Sequence, residues 1–381
     1  MSVLLDCYGP DQGAFQLKCV LGEITRMMPD LLHIFNSQHN RVPPLLMASL
    51  IVWFVLALAP HSHASEMTAQ EVLEAIPLSD SEKENLQNGE IVRFTREETD
   101  DRELAVGMAL LLKQTPEKVR ELFLDAVEFQ LIGEVTAFSA ISENGAETDL
   151  SKISLEPNGD KEARRYLEAE PGETLNLSKQ EIAAFQALNQ KLGDGPGEKP
   201  AVEALIRQNL LARYQAYRTK GLLGITPYER GDGEQRDYGQ ELSLTTENAK
   251  FVARVFPSFY NILLHYPAGK TKELRESYHW LNIDVFGRPL LVLSHRMGIE
   301  IGEVFMGVDR HFYASHDYNG LQSAAGLLPV KDGTLLIYLF RISTDQVGGF
   351  GSSAKHPIAR GLMGPFVEEL FEGLRAQGGN K

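Results

Sequence analysis

The spacing of hydrophobic positions divides the chain into three parts after residue 90. In the first part, "LAVGMALLL" (104–112) is apolar on both faces of a strand, which is typical of a strand covered on both sides. Thr115 and Pro116 then have the residue types of a helix cap and a first helical position. "QLIGEVTAFSAIS" (130–142) returns to β character. This part predicts a strand–helix–strand unit.

The second part, residues 150–272, has helical spacing. Ser178 and Glu181 form a capping-box pattern ahead of an apolar stripe, and residues 202–217 have the spacing of a long amphipathic helix. Residues 242–264 predict a further helix. "GDGPGEKP" (193–200) has the composition of a linker inside this region. We therefore expect an all-helical insertion.

The third part, from residue 276, returns to a period of two. Turn signals separate "ESYHWLNIDV", "PLLVLSHRMGI", "EVFMGVDRHFYASHDY" and "TLLIYLFRIS", and "LQSAAGLLPV" has the character of another strand. In "TLLIYLFRIS" both faces are largely apolar, so each face needs a cover: a helix, the insertion or a ligand.

A long amphipathic helix is predicted at the C-terminal end. Its wide apolar face is interrupted by Pro365, which should bend the helix or mark a start within it. The predicted face comprises Ile358, Leu362, Met363, Phe366, Val367, Leu370, Phe371 and Leu374.

This order of elements resembles the START-like, helix-grip superfamily of polyketide cyclases and lipid-transfer proteins, over residues 90–142 and 276–377. The resemblance implies an α+β fold in which a bent antiparallel sheet packs on the long C-terminal helix around an apolar cavity. Residues 90–377 would form the START-like domain, and the helical insertion 150–272 departs from the family pattern. Many members bind lipids, sterols or polyketides, and some catalyse cyclisation or hydrolysis.

The segment 47–64 has the pattern of a signal peptide or an N-terminal anchor. Its uncharged run, 45–59, is shorter than the ~20 apolar residues that cross a bilayer, and Ser62 and Ala64 suit cleavage after Ala64. Residues 1–46 form a leader without a good apolar core, and Met27, Met28 or Met47 could be the true start. Residues 65–89 predict a helical lead-in. We expect an exported, periplasmic or secreted protein, with membrane anchorage as the alternative.

Composition excludes several classes of function. Cys7 and Cys19 are the only cysteines and both precede the predicted cleavage site, so a mature chain would hold no thiol nucleophile, iron–sulfur cluster or cysteine-ligated zinc. The net charge of −15 disfavours nucleic acid as a partner. No chelating motif occurs, and no cofactor is implied. "GGFGSS" (348–353) lacks the spacing of a phosphate-binding loop and suits a flexible loop at the cavity.

Candidate chemistry concentrates in "VDRHFYASHDY" (308–318). Strict alternation would put Asp309, His311, Tyr313, Ser315 and Asp317 on one face, and Arg310, Phe312, Ala314, His316 and Tyr318 on the other. His311, Tyr313 and Asp317 would then form an acid–base set. A solvated strand face is the alternative interpretation.

Ligand-binding candidates lie on the neighbouring predicted strands. A buried Arg341 needs a carboxylate or an anionic ligand head, and Asp345 is close in sequence. The other candidates are Tyr338, Phe340, His295 and Arg296, the last two on opposite faces. We expect a protein that binds an apolar or lipid-like ligand. The alternatives are an enzyme of the same fold and a membrane-anchored interaction protein whose insertion binds a partner.

Overall fold

The computed structural model describes residue 74 and residues 78–192, 197–349 and 352–377. The chain divides into two units, Met1–Ser65 and Glu66–Lys381, and every described residue belongs to the second. The leader 1–46, the segment 47–64, the cleavage position and residues 65–73 and 75–77 of the lead-in lie outside the described residues.

Helices and strands are numbered here in chain order. The helices are α1 Asp80–Gln87, α2 Pro116–Leu124, α3 Gly159–Leu167, α4 Lys179–Leu192, α5 Glu198–Lys220, α6 Tyr238–Glu247, α7 Lys250–Val255, α8 Pro257–His265 and α9 Ser352–Gln377. The strands are β1 Val92–Thr95, β2 Glu103–Leu112, β3 Val135–Ile141, β4 Tyr228–Gly231, β5 Glu234–Arg236, β6 Arg275–Val285, β7 Arg288–Ile301, β8 Val304–Ala314, β9 Gly320–Val330 and β10 Gly333–Ser343.

Eight strands form one antiparallel sheet in the order β1-β2-β10-β9-β8-β7-β6-β3. The first long strand, β2, pairs along its whole length with the last strand, β10, and β3 pairs with β6. The two parts of the chain that flank the helical region therefore share a single sheet. The prediction of an α+β fold with one large antiparallel sheet is confirmed.

The two faces of the sheet pack against different parts of the chain. On one face, strand residues such as Leu293 and Phe312 join a core with helices α3 to α8. On the other, Met108 and Leu336 share a core with Val119 of α2 and Phe371 of α9. Because both faces are covered, the strands are apolar on both sides, as their sequences predict.

The region between β3 and β6 is mostly helical, with two departures from the prediction. The capping box forms at α4, where Ser178 N–H donates to Glu181 Oε2 at 2.7 Å. Residues 242–264 were predicted as one helix, which is wrong: they hold the end of α6, all of α7 and most of α8. Pro257, which has no N–H to donate, begins α8. The hairpin β4–β5, turning at Asp232 and Gly233 with positive φ, was not predicted.

The C-terminal helix α9 runs without interruption from Ser352 to Gln377. Pro365 lies inside it and does not start a new helix. Val367, Leu370, Phe371 and Leu374 are buried as predicted, but Ile358 is 69% exposed, so its assignment to the apolar face is wrong. The side chains of Leu362, Met363 and Phe366 lie outside the described set. Within the described residues, no helix is both long and apolar enough to cross a membrane.

Candidate functional site

A cavity of about 370 Å³ lies against the sheet face that packs on α2 and α9. Its lining combines side chains of six strands with Val119 and Phe123 of α2 and three residues of α9. The apolar members from the strands include Leu281, Leu290, Phe305, Ala325, Leu327, Leu336, Phe340 and Ile342. A volume of this size falls in the range of ~300–1,000 Å³ that small-molecule pockets occupy.

Two small residues, Gly307 and Ala325, lie side by side on β8 and β9 near this cavity. A Cβ at Gly307 would lie 2.7 Å from the Phe123 ring, so glycine lets α2 approach β8 closely. Ala325 pairs with Gly307 on one side and with Tyr338 on the other. The Phe123 ring therefore fills the space beside Gly307, and Ala325 next to it lines the cavity.

The polar part of the lining centres on Asp309 of β8. This residue is only 7% exposed, and its Oδ1 accepts a hydrogen bond from Ser294 Oγ at 2.5 Å. Its Oδ2 lies 3.5 Å from Arg296 Nη1 and 3.8 Å from His311 Nε2. A carboxylate at this depth needs opposite charge close by, and Arg296 supplies it.

Arg296 is fixed by aromatic rings and a backbone carbonyl. Its guanidinium lies 4.1 Å from the Phe123 ring centre and 4.9 Å from that of Phe129, and its Nη2 donates to Phe123 O at 2.5 Å. Cation–π contacts of this kind strengthen when water is excluded. Helix α2 and the turn after it therefore position the charge that neutralises Asp309.

His311 connects Asp309 with Tyr318. Its Nδ1 lies 2.8 Å from the Tyr318 hydroxyl, and its Nε2 faces Asp309 Oδ2. Burial raises the pKa of Tyr318 well above its ordinary value, and the negative charge of Asp309 adds to this effect. When the Tyr318 hydroxyl donates to Nδ1, a neutral His311 carries its hydrogen on Nε2, directed at Asp309.

The carboxyl of Asp309 stays ionised at neutral pH. Burial by itself would raise its pKa, but the N–H of His311, the positive charge of Arg296 and the hydrogen bond from Ser294 together outweigh burial. The pKa of Asp309 is therefore held well below its ordinary value. An ionised carboxylate consequently stands in the wall of an otherwise apolar cavity.

The predicted common face for His311 and Tyr313 is wrong. His311 pairs with Ser294, whereas Tyr313 pairs with the adjacent Leu293, so β8 contains one extra residue, Phe312, at a bulge. A bulge shifts alternation by one position. Tyr313 accordingly packs on the insertion side, with the Arg213 guanidinium 4.4 Å from its ring centre.

Asp317 also lies away from His311. It has a positive φ after the end of β8, and its Oδ2 lies 2.6 Å from Nδ1 of the neighbouring His316. The structure thus does not assemble the predicted set of His311, Tyr313 and Asp317. Acid–base chemistry at His311 stays a prediction, with Tyr318 and Asp309 as the groups beside it.

The ligand-binding candidates are divided among several places. Tyr338 and Phe340 line the cavity. Arg341 pairs with Glu103 on the adjacent strand at 2.9 Å instead of with Asp345. Asp345 has its own arginines: it lies 2.8 Å from Arg230, 2.9 Å from Arg236 and 3.3 Å from Arg102.

His295 and Arg296 point to opposite faces, as predicted. His295 is completely buried on the insertion side, where its ring stacks on Tyr278 with centres 4.3 Å apart and its Nδ1 lies 2.9 Å from the Tyr217 hydroxyl. It therefore stabilises the contact between sheet and insertion and lies outside the cavity lining.

Sequence reasoning placed Asp309 on a strand face without naming it as a site residue, and it missed Tyr318, Ser323 and Ser294 as members of the polar group. Strict alternation assigned Tyr318 to the opposite face, but β8 ends at Ala314 and Tyr318 reaches His311 from the loop before β9. Ser323 joins the group because β9 places it directly opposite Asp309. Among the described residues, no group of three or more histidine, cysteine or carboxylate side chains is arranged to hold a metal ion.

Comparison with known proteins gives one partial likeness. A START superfamily protein from Mycobacterium smegmatis matches 29% of this chain and 68% of its own, with 16% sequence identity and a TM-score of 0.21. No family model matches the chain, and a search of curated proteins finds no match.

Two buried histidines on β6 and β7 predict that the protein loses stability in mild acid. Burial lowers the pKa of both His279 and His295 to about 4 from an ordinary 6.5. Between pH 6.5 and 4 these two histidines are protonated in the unfolded chain but stay largely neutral in the folded chain. The free energy of unfolding therefore falls as pH drops from 6.5 to 4. The loss is up to ~3 kcal/mol per histidine.

Urea unfolding of the wild type, His279→Gln and His295→Gln at several pH values checks this. Each variant should show a shallower decline between pH 6.5 and 4, whatever its absolute stability, because other titrating groups are common to all three proteins. Parallel declines in wild type and variants would contradict the assignment.

Proposed function

We propose that this protein is a START-like binding protein that holds an apolar, lipid-like molecule in the cavity between its sheet and α9. The observation that carries the proposal is the cavity of about 370 Å³ with an almost wholly apolar lining. Core space in folded proteins is normally filled to high density, so a void of this size is costly unless a ligand occupies it.

A helix-grip arrangement is proposed for residues 90–377. The order of long strands, with the first, β2, beside the last, β10, supports it. So does α9, whose Leu370, Phe371 and Leu374 border the cavity. In this proposal α2 and α9 grip one face of the bent sheet, and the helices of 150–272 form an insertion on the other.

The proposal also includes export. Segment 47–64 would serve as a signal peptide cleaved after Ala64, with retention as a membrane anchor as the alternative; N-terminal sequencing of the protein recovered from its host tests which holds. The proposed partner is an apolar small molecule or lipid. The charge of −15 supports a function without nucleic acid.

A titration with the neutral fluorescent probe N-phenyl-1-naphthylamine tests the binding function. The probe should show saturable fluorescence enhancement at a single site per chain, because an apolar cavity shields it from water. A linear, non-saturating signal that is unchanged after unfolding in urea would contradict the proposal.

A further inference from the structure

The polar residues of the cavity wall deepen the proposed function, on which this inference rests. Apart from Asp309, His311, Tyr318, Ser323 and Tyr338, the lining is apolar. Asp309 and Ser323 face each other in register across β8 and β9, and His311 is two residues from Asp309 on the same strand. A ligand in the cavity therefore meets a localised polar group in a hydrophobic surrounding.

One oxygen of Asp309 has an incomplete set of partners. Oδ1 accepts the short hydrogen bond from Ser294, but the donors facing Oδ2 are Arg296 Nη1 at 3.5 Å and His311 Nε2 at 3.8 Å. Both distances exceed the ~2.7–3.2 Å of a normal N–H···O bond. Asp309 is 7% exposed and lines the cavity, so this acceptor is available from inside the cavity.

The polar head group of a ligand would lie next to the negatively charged Asp309 carboxylate. A carboxylate or phosphate head would place a second negative charge beside Asp309 in a poorly solvated space, where like charges repel strongly. Arg296 does not offset this, because its guanidinium already faces Asp309 and the Phe123 carbonyl. A neutral O–H donor, in contrast, can complete the hydrogen bonding of Oδ2.

We infer that the cavity selects an uncharged apolar molecule with a hydroxyl at one end, which donates its hydrogen to Asp309 Oδ2. The hydroxyl oxygen can accept a hydrogen bond from Ser323 in return, since the two residues lie opposite each other. Asp309 thus determines specificity, and free fatty acids are disfavoured ligands.

Three probes of equal chain length test this: dodecanol, its methyl ether and dodecanoate, each displacing N-phenyl-1-naphthylamine from the full chain at neutral pH. Dodecanol should bind at least ~10-fold more tightly than the other two, because a hydrogen bond to a charged group contributes about that much. The ether keeps the apolar chain and the acceptor oxygen but cannot donate, so it serves as the matched control.

The variant Asp309→Asn provides the second test. It should weaken the binding of dodecanol by ~10-fold, because the asparagine side chain carries no negative charge to accept the hydrogen bond. Dodecanoate should then bind about as tightly as dodecanol, because the repulsion from Asp309 is gone. Should this substitution prevent folding, as a circular dichroism melt would show, the comparison of alcohol and ether in the wild type still decides the matter.

The outcomes separate the two proposals. Equal affinities of wild type for dodecanol, methyl ether and dodecanoate overturn the role of Asp309 and leave the binding function standing. Tighter binding of dodecanoate than of dodecanol also overturns it. Failure of all three probes and of N-phenyl-1-naphthylamine to bind overturns the proposed function together with this inference.

Discussion

Replacing Arg296 with methionine should lower the free energy of unfolding by about 3–5 kcal/mol, the range found when one partner of a buried ion pair is removed. Arg296 is 2% exposed and supplies positive charge to the buried Asp309. Methionine preserves the apolar contact with Phe123 but leaves the carboxylate and the Phe123 carbonyl without this donor. Urea unfolding followed by fluorescence measures the loss.

A second variant and a surface pair make this result interpretable. Arg296→Met combined with Asp309→Asn should recover part of the loss, because the buried negative charge is gone as well. Arg93, which is 42% exposed and pairs with Glu368, is the control, and Arg93→Met should cost at most ~1 kcal/mol. Equal losses in the free energy of unfolding for Arg93→Met and Arg296→Met would show that the buried charge of Arg296 contributes no more to stability than a surface charge does.

Filling the cavity from β9 should abolish most ligand binding. Ala325 lies between Gly307 and Tyr338 in the sheet and lines the cavity, so a tryptophan there projects into the space that a ligand needs. We expect Ala325→Trp to weaken the binding of N-phenyl-1-naphthylamine by ~10- to 100-fold, because steric overlap of this kind costs about 1–3 kcal/mol of binding free energy. The melting temperature should stay near that of the wild type, because the indole occupies space that is otherwise empty.

The matched control is Ala183→Trp on the exposed face of α4, which should leave both probe affinity and melting temperature unchanged. If Ala325→Trp folds and binds the probe as tightly as Ala183→Trp does, the probe occupies some other place on the protein.

Much of the fold follows from local patterns in the sequence. Strands with both faces apolar, such as "LAVGMALLL" and "TLLIYLFRIS", predicted a sheet covered on both sides, and this is confirmed. The capping box at Ser178 and Glu181 is also confirmed. These features depend on neighbouring residues, which is why the sequence displays them.

The candidate site was harder to predict because it depends on strand register. The extra residue at Phe312 moves Tyr313 to the insertion side, and nothing in "DRHFYASHDY" indicates where pairing with β7 shifts. Arg341 finds its carboxylate on Glu103, far away in sequence but on the adjacent strand. Such partners become evident only when the order and register of the strands are known.

Sequence did identify the region that carries the chemistry. Asp309 and His311 both stand in the cavity wall, and Tyr338 and Phe340 line it with them. Strand alternation could not predict that Tyr318 contacts His311. Tyr318 follows the end of β8 and reaches His311 from the loop that precedes β9.

Native mass spectrometry of the protein purified from its own host tests the central claim most directly. We predict that a fraction of the chains retains an apolar molecule, which adds a defined mass, is lost on denaturation and can be recovered by organic extraction. Ala325→Trp purified in the same way should lack this mass. Repeated recovery of unliganded wild-type protein, with an extract indistinguishable from that of Ala325→Trp, would contradict the account.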